Sequence, residues 1–181
     1  MTEAPTRTSR ILRRIRPVPD WPQAGVLFRD LVPLLADAPA FAEAVEAMAS
    51  SLTGTEIDAV AAIESRGFWF GAPIAARLGT GLLPLRKPGK LPPPLRSESY
   101  TLEYGMAALE VPVGAVRAGS RVAIVDDVLA TGGTAVAAFR LLEKLRVEVV
   151  CFSFLLTLES LGGRERLDGL RTPVRAVLDL P

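Results

Sequence analysis

The chain has 181 residues, 49% of them hydrophobic, which is enough to bury the core of one domain. Its 21 basic and 20 acidic residues nearly balance, which argues against nucleic acid or a membrane surface as a partner. The absence of histidine excludes histidine acid–base catalysis and histidine metal sites. The single cysteine, Cys151, excludes an internal disulfide, fits a reducing compartment and, among apolar neighbours, is expected in the core.

The N-terminal segment is rich in arginine: Arg7, Arg10, Arg13, Arg14 and Arg16 are opposed only by Glu3. This pattern allows two interpretations, a transit peptide or a solvated tail over residues 1–14. We favour the tail, running into a short helix with Ile11, Leu12 and Ile15 facing inward. No apolar run approaches the roughly 20 residues that span a bilayer, and no signal-peptide core follows the N-terminus.

A proline-rich segment comes next, over residues 15–35. Its sequence, which includes "PVPDWPQAGVLFRDLVPLL", has too many prolines for a helix and too many apolar residues for a linker. We therefore expect an ordered segment that lies against the body. A helix follows, predicted from an apolar stripe at helical spacing that belongs to the core: Phe41, Val45, Met48 and Leu52.

Strands and helices then alternate along the chain. The patterns predict strands over 57–63, 81–85, 107–113, 122–125 and 147–156, with helices over 68–78 and 135–145. This alternation predicts an α/β fold, in which a mostly parallel central sheet is flanked by helices. We expect one domain over residues 1–181.

Residues 86–105 have no clear periodicity and interrupt this alternation. The segment "RKPGKLPPPLRSESYTLEY" is more basic than acidic, and Pro93 and Pro94 should stiffen it. A loop of this length in a compact domain is usually a lid or disordered. We interpret it as a lid loop, and a solvated excursion remains the alternative.

Two strand ends carry candidate ligand-binding residues. In "IESRGF", residues 63–68, a strand ends and a helix begins at Arg66, whose guanidinium beside a helix N-terminus suits an anion. The alternative is that Arg66 caps a carbonyl or pairs with Glu64.

The second strand end is "VAIVDDVLATGGTA", residues 122–135. Gly132 and Gly133 permit positive φ, either Thr131 or Thr134 can cap the following helix, and consecutive amides can form an anion nest. The two aspartates that end the strand can accept hydrogen bonds from sugar hydroxyls and help to hold hydrated Mg²⁺. The pattern indicates a ligand with both a phosphate and a diol; the alternative is an acidic turn and a capped helix without a ligand.

The motif that runs from Asp126 to Thr134 resembles the phosphoribosyl-pyrophosphate (PRPP) motif of type I phosphoribosyltransferases. The resemblance implies that Asp126 and Asp127 bind the ribose hydroxyls, and that the 5-phosphate is held by Ala130, Thr131, Gly132, Gly133 and Thr134. "IESRGF" resembles the family's pyrophosphate loop, which implies pyrophosphate binding by Ser65 and Arg66 and a cis non-proline peptide near Ser65. The resemblance also assigns PRPP contacts in the lid to Arg86, Lys87, Lys90 and Tyr104.

"PDWPQAGVLFRD", residues 19–30, resembles the base-binding hood of adenine phosphoribosyltransferases. That family also matches at "ESRGF", "RKPGKLP", "YTLEYG" and "VDDVLATGGT", in order from Ile15 to about Leu167. The resemblance implies the type I fold with a small N-terminal hood over residues 15–35, and an adenine ring stacked on Phe28 and read by main-chain groups near Leu27 and Arg29.

The same resemblance implies the reaction: adenine and PRPP give AMP and pyrophosphate. Arg66 stabilises the leaving charge, and Glu103 accepts the proton that adenine loses. Mg²⁺ is the expected cofactor, carried by PRPP and water without a direct protein ligand, and the family implies a cytoplasmic homodimer. Two alternatives remain open: an enzyme for hypoxanthine, guanine, xanthine or orotate, and a PRPP-sensing regulator.

Overall fold

A computed structural model of the chain describes residues 6–101 and 106–181. Two predicted site residues, Glu103 and Tyr104, lie outside the described residues. The chain divides into two compact units, Met1–Ala47 and Met48–Pro181.

The first unit contains short elements, and the third of its helices continues past the unit's end. They are α1 (Arg7–Leu12), β1 (Arg16–Val18), β2 (Phe28–Asp30), α2 (Val32–Leu35) and α3 (Ala38–Ser51). Thr6 caps α1 by accepting a hydrogen bond from the Ser9 amide. Ile11 and Ile15 are buried as predicted, but Leu12 is 43% exposed. Adjacent residues on a helix point in different directions, so Leu12 cannot share the inward face with Ile11.

The proline-rich segment is ordered, as predicted, and it contains a small antiparallel pair. β1 pairs with β2, with Arg16 opposite Asp30. The Arg16 Nη2 atom donates to Asp30 Oδ2 at 2.6 Å, while Asp30 Oδ1 accepts from the Val32 amide at 2.9 Å. The Val32 hydrogen bond and, after it, the Arg16 ion pair hold the pKa of the buried Asp30 below its ordinary value. These contacts close the ends of the segment around a loop.

The second unit is built on one sheet and a separate hairpin. Its further elements are β3 (Ala59–Ile63), α4 (Gly67–Leu78), β4 (Gly81–Leu85), β5 (Leu95–Thr101), β6 (Met106–Pro112), β7 (Arg121–Leu129), α5 (Gly133–Glu143), β8 (Glu148–Leu158), a 3-10 turn (Glu159–Leu161), α6 (Gly163–Asp168) and β9 (Val174–Leu180). Five parallel strands form the sheet in the order β4-β3-β7-β8-β9. The predicted α/β fold with a parallel central sheet is confirmed.

Side chains alternate between the two faces of this sheet. On β3, Ala61 and Ile63 belong to a buried cluster that also contains residues of α5 and of β6. Ala62 points to the opposite face, where α4 comes so close that a Cβ on Gly71 would lie 2.5 Å from the Ala62 Cβ. Both faces of the sheet are therefore covered at these strands, which explains why every residue of β3 and most residues of β7 are buried.

The hairpin differs from the sequence predictions in two respects. Residues 95–101 were expected in a lid loop and form β5; residues 107–113 were expected in the parallel sheet, but 107–112 lie in β6, which pairs antiparallel with β5. β6 buries Leu109 and Val111 in the core, whereas β5 has no fully buried residue. β5 is ordered by pairing with β6, so it forms a strand although its own sequence lacks a strong apolar alternation. β9, which no sequence pattern predicted, completes the sheet.

Candidate active site

A cavity of about 350 Å³ lies at the carboxyl ends of β3 and β7. These two strands are neighbours in the sheet, and their following helices lead to strands on opposite sides, β4 and β8. The loops after β3 and β7 thus diverge and leave a crevice, the usual ligand position in a parallel α/β sheet. Tertiary structure brings together the two strand ends that the sequence singled out separately.

Most of the predicted PRPP residues line this cavity, including Lys87 from the expected lid. The others from the prediction are Ser65, Arg66, Asp126, Asp127, Ala130, Thr131, Gly132, Gly133 and Thr134. Arg86 and Lys90 are not among the described residues that line it. Leu27, Phe28 and Arg29 belong to the Met1–Ala47 unit.

The glycine loop, residues 130–134, joins β7 to α5. Gly132 precedes α5 in the left-handed conformation, with φ of 76°, and its carbonyl accepts from the Val136 amide at 3.0 Å. Only glycine adopts this φ without strain, so Gly132 sets the turn. The prediction that Thr131 or Thr134 caps the helix is wrong, because no side chain caps α5 and Thr134 Oγ1 lies 3.5 Å from the Tyr100 hydroxyl. The first amides of α5 can therefore bind an anion from the cavity.

Asp126 and Asp127 form an acid pair beside the glycine loop. Asp127 is 1% exposed, Asp126 is half-buried, and Asp126 Oδ1 accepts a hydrogen bond from the Asp127 amide at 2.9 Å. Burial raises the pKa of both carboxyls; repulsion from Asp127 raises that of Asp126 further, while Arg66 partly offsets the increase at Asp127. The two carboxylates repel each other when both are ionised, and they are suited to accept hydrogen bonds from hydroxyl groups.

The side chain of Arg66, which follows β3, reaches Asp127 on β7, with Nε 2.9 Å from Asp127 Oδ2. Its N–H is not directed at that oxygen, because Oδ2 accepts no hydrogen bond within the described part of the chain. Glu64 accepts from Arg86 Nε at 3.1 Å and from the Lys87 amide at 2.9 Å.

Glu64 and its partners hold the start of the Ser65 loop, residues 64–66. Burial alone would raise the pKa of Glu64, but the hydrogen bonds from Lys87 and Arg86 outweigh it and lower that pKa. The Glu64–Ser65 peptide is cis, as the resemblance implies. A Cβ on Gly67 would lie 2.9 Å from both Asp126 Oδ1 and the Val125 carbonyl oxygen, so only glycine lets α4 begin this close to β7.

The sequence predictions assigned no site role to three residues near the cavity: Glu64, which holds the start of the Ser65 loop, Tyr100 and Arg166. Tyr100 lines the cavity from β5, and Arg166 Nη1 donates to the Thr131 carbonyl at 3.0 Å from α6. Tyr100 begins the matching segment "YTLEYG", but that match assigned it no role, and Arg166 lies outside the quoted motifs. Their positions depend on how the hairpin and α6 pack.

A parallel sheet with a glycine loop and an acid pair at its strand ends is the architecture of a phosphoribosyltransferase. The Phosphoribosyl transferase domain model matches residues 34–169. This range includes both the Ser65 loop and the glycine loop.

Comparison with individual proteins narrows the class. The chain is 55% identical over 157 residues to the adenine phosphoribosyltransferase of Kineococcus radiotolerans, covering 87% of this chain and 85% of the relative. It is 54% identical over 155 residues to the adenine phosphoribosyltransferase of Thermobifida fusca, covering 86% of this chain and 88% of the relative. The chain belongs to the adenine phosphoribosyltransferase family.

Solved structures agree with this assignment. The adenine phosphoribosyltransferase of Thermoanaerobacter pseudethanolicus superimposes with a TM-score of 0.92 at 46% identity, over 96% of this chain and 99% of that one. The Saccharomyces cerevisiae enzyme, complexed with adenine and an imino-altritol bisphosphate, superimposes with a TM-score of 0.88 at 35% identity, over 94% of this chain and 98% of that one. The predicted family and type I fold are confirmed. Among the described helices, none combines the length and apolar character that a bilayer crossing requires.

Proposed function

We propose that this chain transfers the 5-phosphoribosyl group of PRPP to adenine and releases AMP and pyrophosphate. The observation that carries the proposal is the convergence of the glycine loop, the acid pair and Arg66 on one cavity. A phosphorylated sugar with a diol and a diphosphate leaving group needs these three chemistries at once: amides for phosphate, carboxylates for hydroxyls, and a cation for the leaving charge.

The ribose 5-phosphate is assigned to the glycine loop. Residues at the start of α5 line the cavity, and no side chain caps this helix. Asp126 and Asp127 would then accept hydrogen bonds from the ribose hydroxyls. Burial raises the pKa of both carboxyls, and hydrogen bonds from the ribose hydroxyls would oppose this effect because they favour the ionised form.

The pyrophosphate is assigned to the Ser65 loop, with Arg66 and Lys87 as its cations. Displacement breaks the bond between the anomeric carbon and the pyrophosphate oxygen, and a bond to an adenine ring nitrogen forms. Positive charge builds on the ribose and negative charge on the departing oxygens. Arg66 would release Asp127 and turn to the pyrophosphate, so that one guanidinium serves the ligand-free site and the leaving group in turn.

Magnesium is the proposed cofactor. The donor set fits, because Asp127 Oδ2 is a buried carboxylate oxygen without a hydrogen bond among the described residues, and such oxygens suit a hydrated Mg²⁺. When bound with PRPP, Mg²⁺ neutralises diphosphate charge. Asp126 and Asp127 would orient its water ligands rather than bind it directly.

Adenine binding is proposed for Leu27, Phe28 and Arg29. Phe28 is half-buried and packs edge-on against Trp21, with ring centroids 4.4 Å apart, while Leu27 is 45% exposed. Their main-chain groups offer the donor and acceptor that adenine's amino group and ring nitrogen require. Glu103 is proposed to accept the ring proton. Arg86 and Lys90 remain proposed lid contacts, together with Tyr104, and a cytoplasmic homodimer is proposed from the family resemblance alone.

Pyrophosphate release tests this function. The purified chain is incubated with PRPP and, in turn, adenine, hypoxanthine, guanine, xanthine and orotate, with and without Mg²⁺. We expect pyrophosphate release with adenine and with none of the other four bases, and we expect this release to require Mg²⁺. Turnover of another base in preference to adenine would contradict the proposal, and binding of PRPP without turnover of any base would favour a regulator.

A further inference from the structure

The short helix α6 packs directly against the outer side of the glycine loop. A Cβ on Gly163, the first residue of α6, would lie 2.0 Å from the Ala130 carbonyl oxygen. The reverse contact is also close, because a Cβ on Gly132 would lie 3.0 Å from the Gly163 carbonyl oxygen. Two stretches of backbone thus touch without a side chain between them, so the position of α6 determines the position of the loop.

α6 is itself held firmly to the sheet. Arg164 Nη2 donates to Asp179 Oδ1 at 2.5 Å, and the same oxygen accepts from Thr157 Oγ1 at 2.6 Å. These partners lie on β9 and β8. Leu167 is fully buried in the core cluster. α6 is therefore a fixed support on the side of the glycine loop away from the cavity.

Arg166 projects from this support to the loop backbone. Its Nη1 atom donates to the Thr131 carbonyl oxygen at 3.0 Å. The Thr131–Gly132 peptide is trans, so its carbonyl and the Gly132 N–H point in opposite directions. A carbonyl held toward α6 turns the Gly132 N–H away from α6. Both Thr131 and Gly132 line the cavity.

The loop needs such a contact because its own sequence does not define this peptide's orientation. Glycines at 132 and 133 allow both signs of φ at little cost, so the Thr131–Gly132 peptide could rotate. A guanidinium on the carbonyl opposes rotation, and it also polarises the peptide so that the Gly132 N–H becomes a stronger donor.

We propose that Arg166 is a positioning residue for the ribose 5-phosphate, which holds the Thr131–Gly132 peptide with its N–H toward the phosphate and adds positive charge behind the loop. The identity of the ligand rests on the proposed function. The role itself is distinct from the direct contacts assigned above, because Arg166 acts through the loop backbone.

The test compares Arg166→Met with Arg166→Lys and with Arg117→Met, which removes an equally charged, exposed side chain remote from the cavity lining. Loss of one charged hydrogen bond should raise the PRPP KM of Arg166→Met about tenfold, with kcat and the adenine KM little changed. Product inhibition by AMP, which carries the 5-phosphate, should weaken by a similar factor, whereas inhibition by pyrophosphate should not change. Arg166→Lys should recover most of the loss, and Arg117→Met should match the unmodified chain.

Two results would overturn the proposal. One is an unchanged KM for PRPP and unchanged inhibition by AMP in Arg166→Met. The other is equal weakening of AMP and pyrophosphate without recovery in Arg166→Lys, which indicates a general structural role. If the unmodified chain releases no pyrophosphate from PRPP and adenine, the proposed function fails instead. Calorimetric titration with ribose 5-phosphate then decides the Arg166 role: tenfold weaker binding to Arg166→Met supports it, and equal binding refutes it.

Discussion

Replacement of Gly163 by alanine tests whether backbone contact with α6 supports the glycine loop. The new Cβ would lie 2.0 Å from the Ala130 carbonyl oxygen, 3.0 Å from the Ala130 carbonyl carbon and 3.1 Å from Leu129 Cδ1. Relief of the first contact to an ordinary 3.4 Å requires a backbone displacement of about 1.4 Å. The displaced atoms belong to the glycine loop, so both stability and PRPP binding should suffer.

The expected magnitude is a balance of two terms. Alanine within a helix is favoured over glycine by about 1 kcal/mol, whereas overpacking costs about 1–3 kcal/mol and occasionally more. Because a backbone oxygen cannot move aside like a flexible side chain, the cost should lie at the upper end. We expect a net loss of about 2 kcal/mol in the free energy of unfolding, equivalent to a Tm about 4–8 °C lower for a chain of this size.

Urea unfolding and differential scanning calorimetry measure this loss, and steady-state kinetics measure the PRPP KM. Gly169→Ala is the matched control, because Gly169 follows the same helix with φ of −60° and the nearest atom to its Cβ, the Arg166 carbonyl oxygen, would be 3.8 Å away. Gly169→Ala should be neutral or slightly stabilising. A Gly163→Ala protein that melts at or above the unmodified chain, with an unchanged PRPP KM, would refute the argument.

Four substitutions test the proposed site further. Asp127→Asn should lower kcat/KM for PRPP by roughly 10- to 100-fold, because a charged acceptor for a ribose hydroxyl is lost, and unchanged kinetics would remove this role. Since the folded-state pKa of Asp126 is raised, its contribution to stability is present below the ordinary carboxyl pKa and is lost as the pH rises through the raised value. Asp126→Asn should therefore raise the Tm of the ligand-free protein more at pH 8 than at pH 4.5, and an equal gain at both would contradict this reasoning. Glu103→Gln should reduce kcat by about 10²-fold or more with little change in the KM for PRPP, and an effect confined to KM would reassign Glu103 to binding. Phe28→Ala should raise the adenine KM about tenfold, as expected for a lost stacking contact, whereas no change there would place the base elsewhere.

Local motifs made most of the residues that line the cavity predictable. Asp126, Asp127 and the glycine loop lie within nine consecutive residues, and Ser65 and Arg66 lie within three residues of the end of β3. A strand that ends in a turn and a helix positions its own loop, so the chemistry of each loop can be inferred from adjacent residues. The family resemblance then supplied the cis peptide near Ser65.

Contacts between distant residues could not be predicted in this way. The sequence left open which group Arg66 contacts, and the sheet order supplies one partner by bringing β3 beside β7, where Asp127 Oδ2 lies 2.9 Å from Arg66 Nε. The capping prediction for Thr131 and Thr134 failed because Gly132, in its left-handed conformation, occupies the cap position instead.

The amino-acid sequence by itself determined the family, the parallel α/β fold and the residue types at each strand end, because these depend on short patterns of apolar, glycine and charged residues. Only the tertiary structure decided which loops share a cavity, that β5 pairs with β6, and that Arg166 reaches the Thr131 carbonyl from α6. Those arrangements depend on packing between elements far apart in the chain, which leaves no local signal in the sequence.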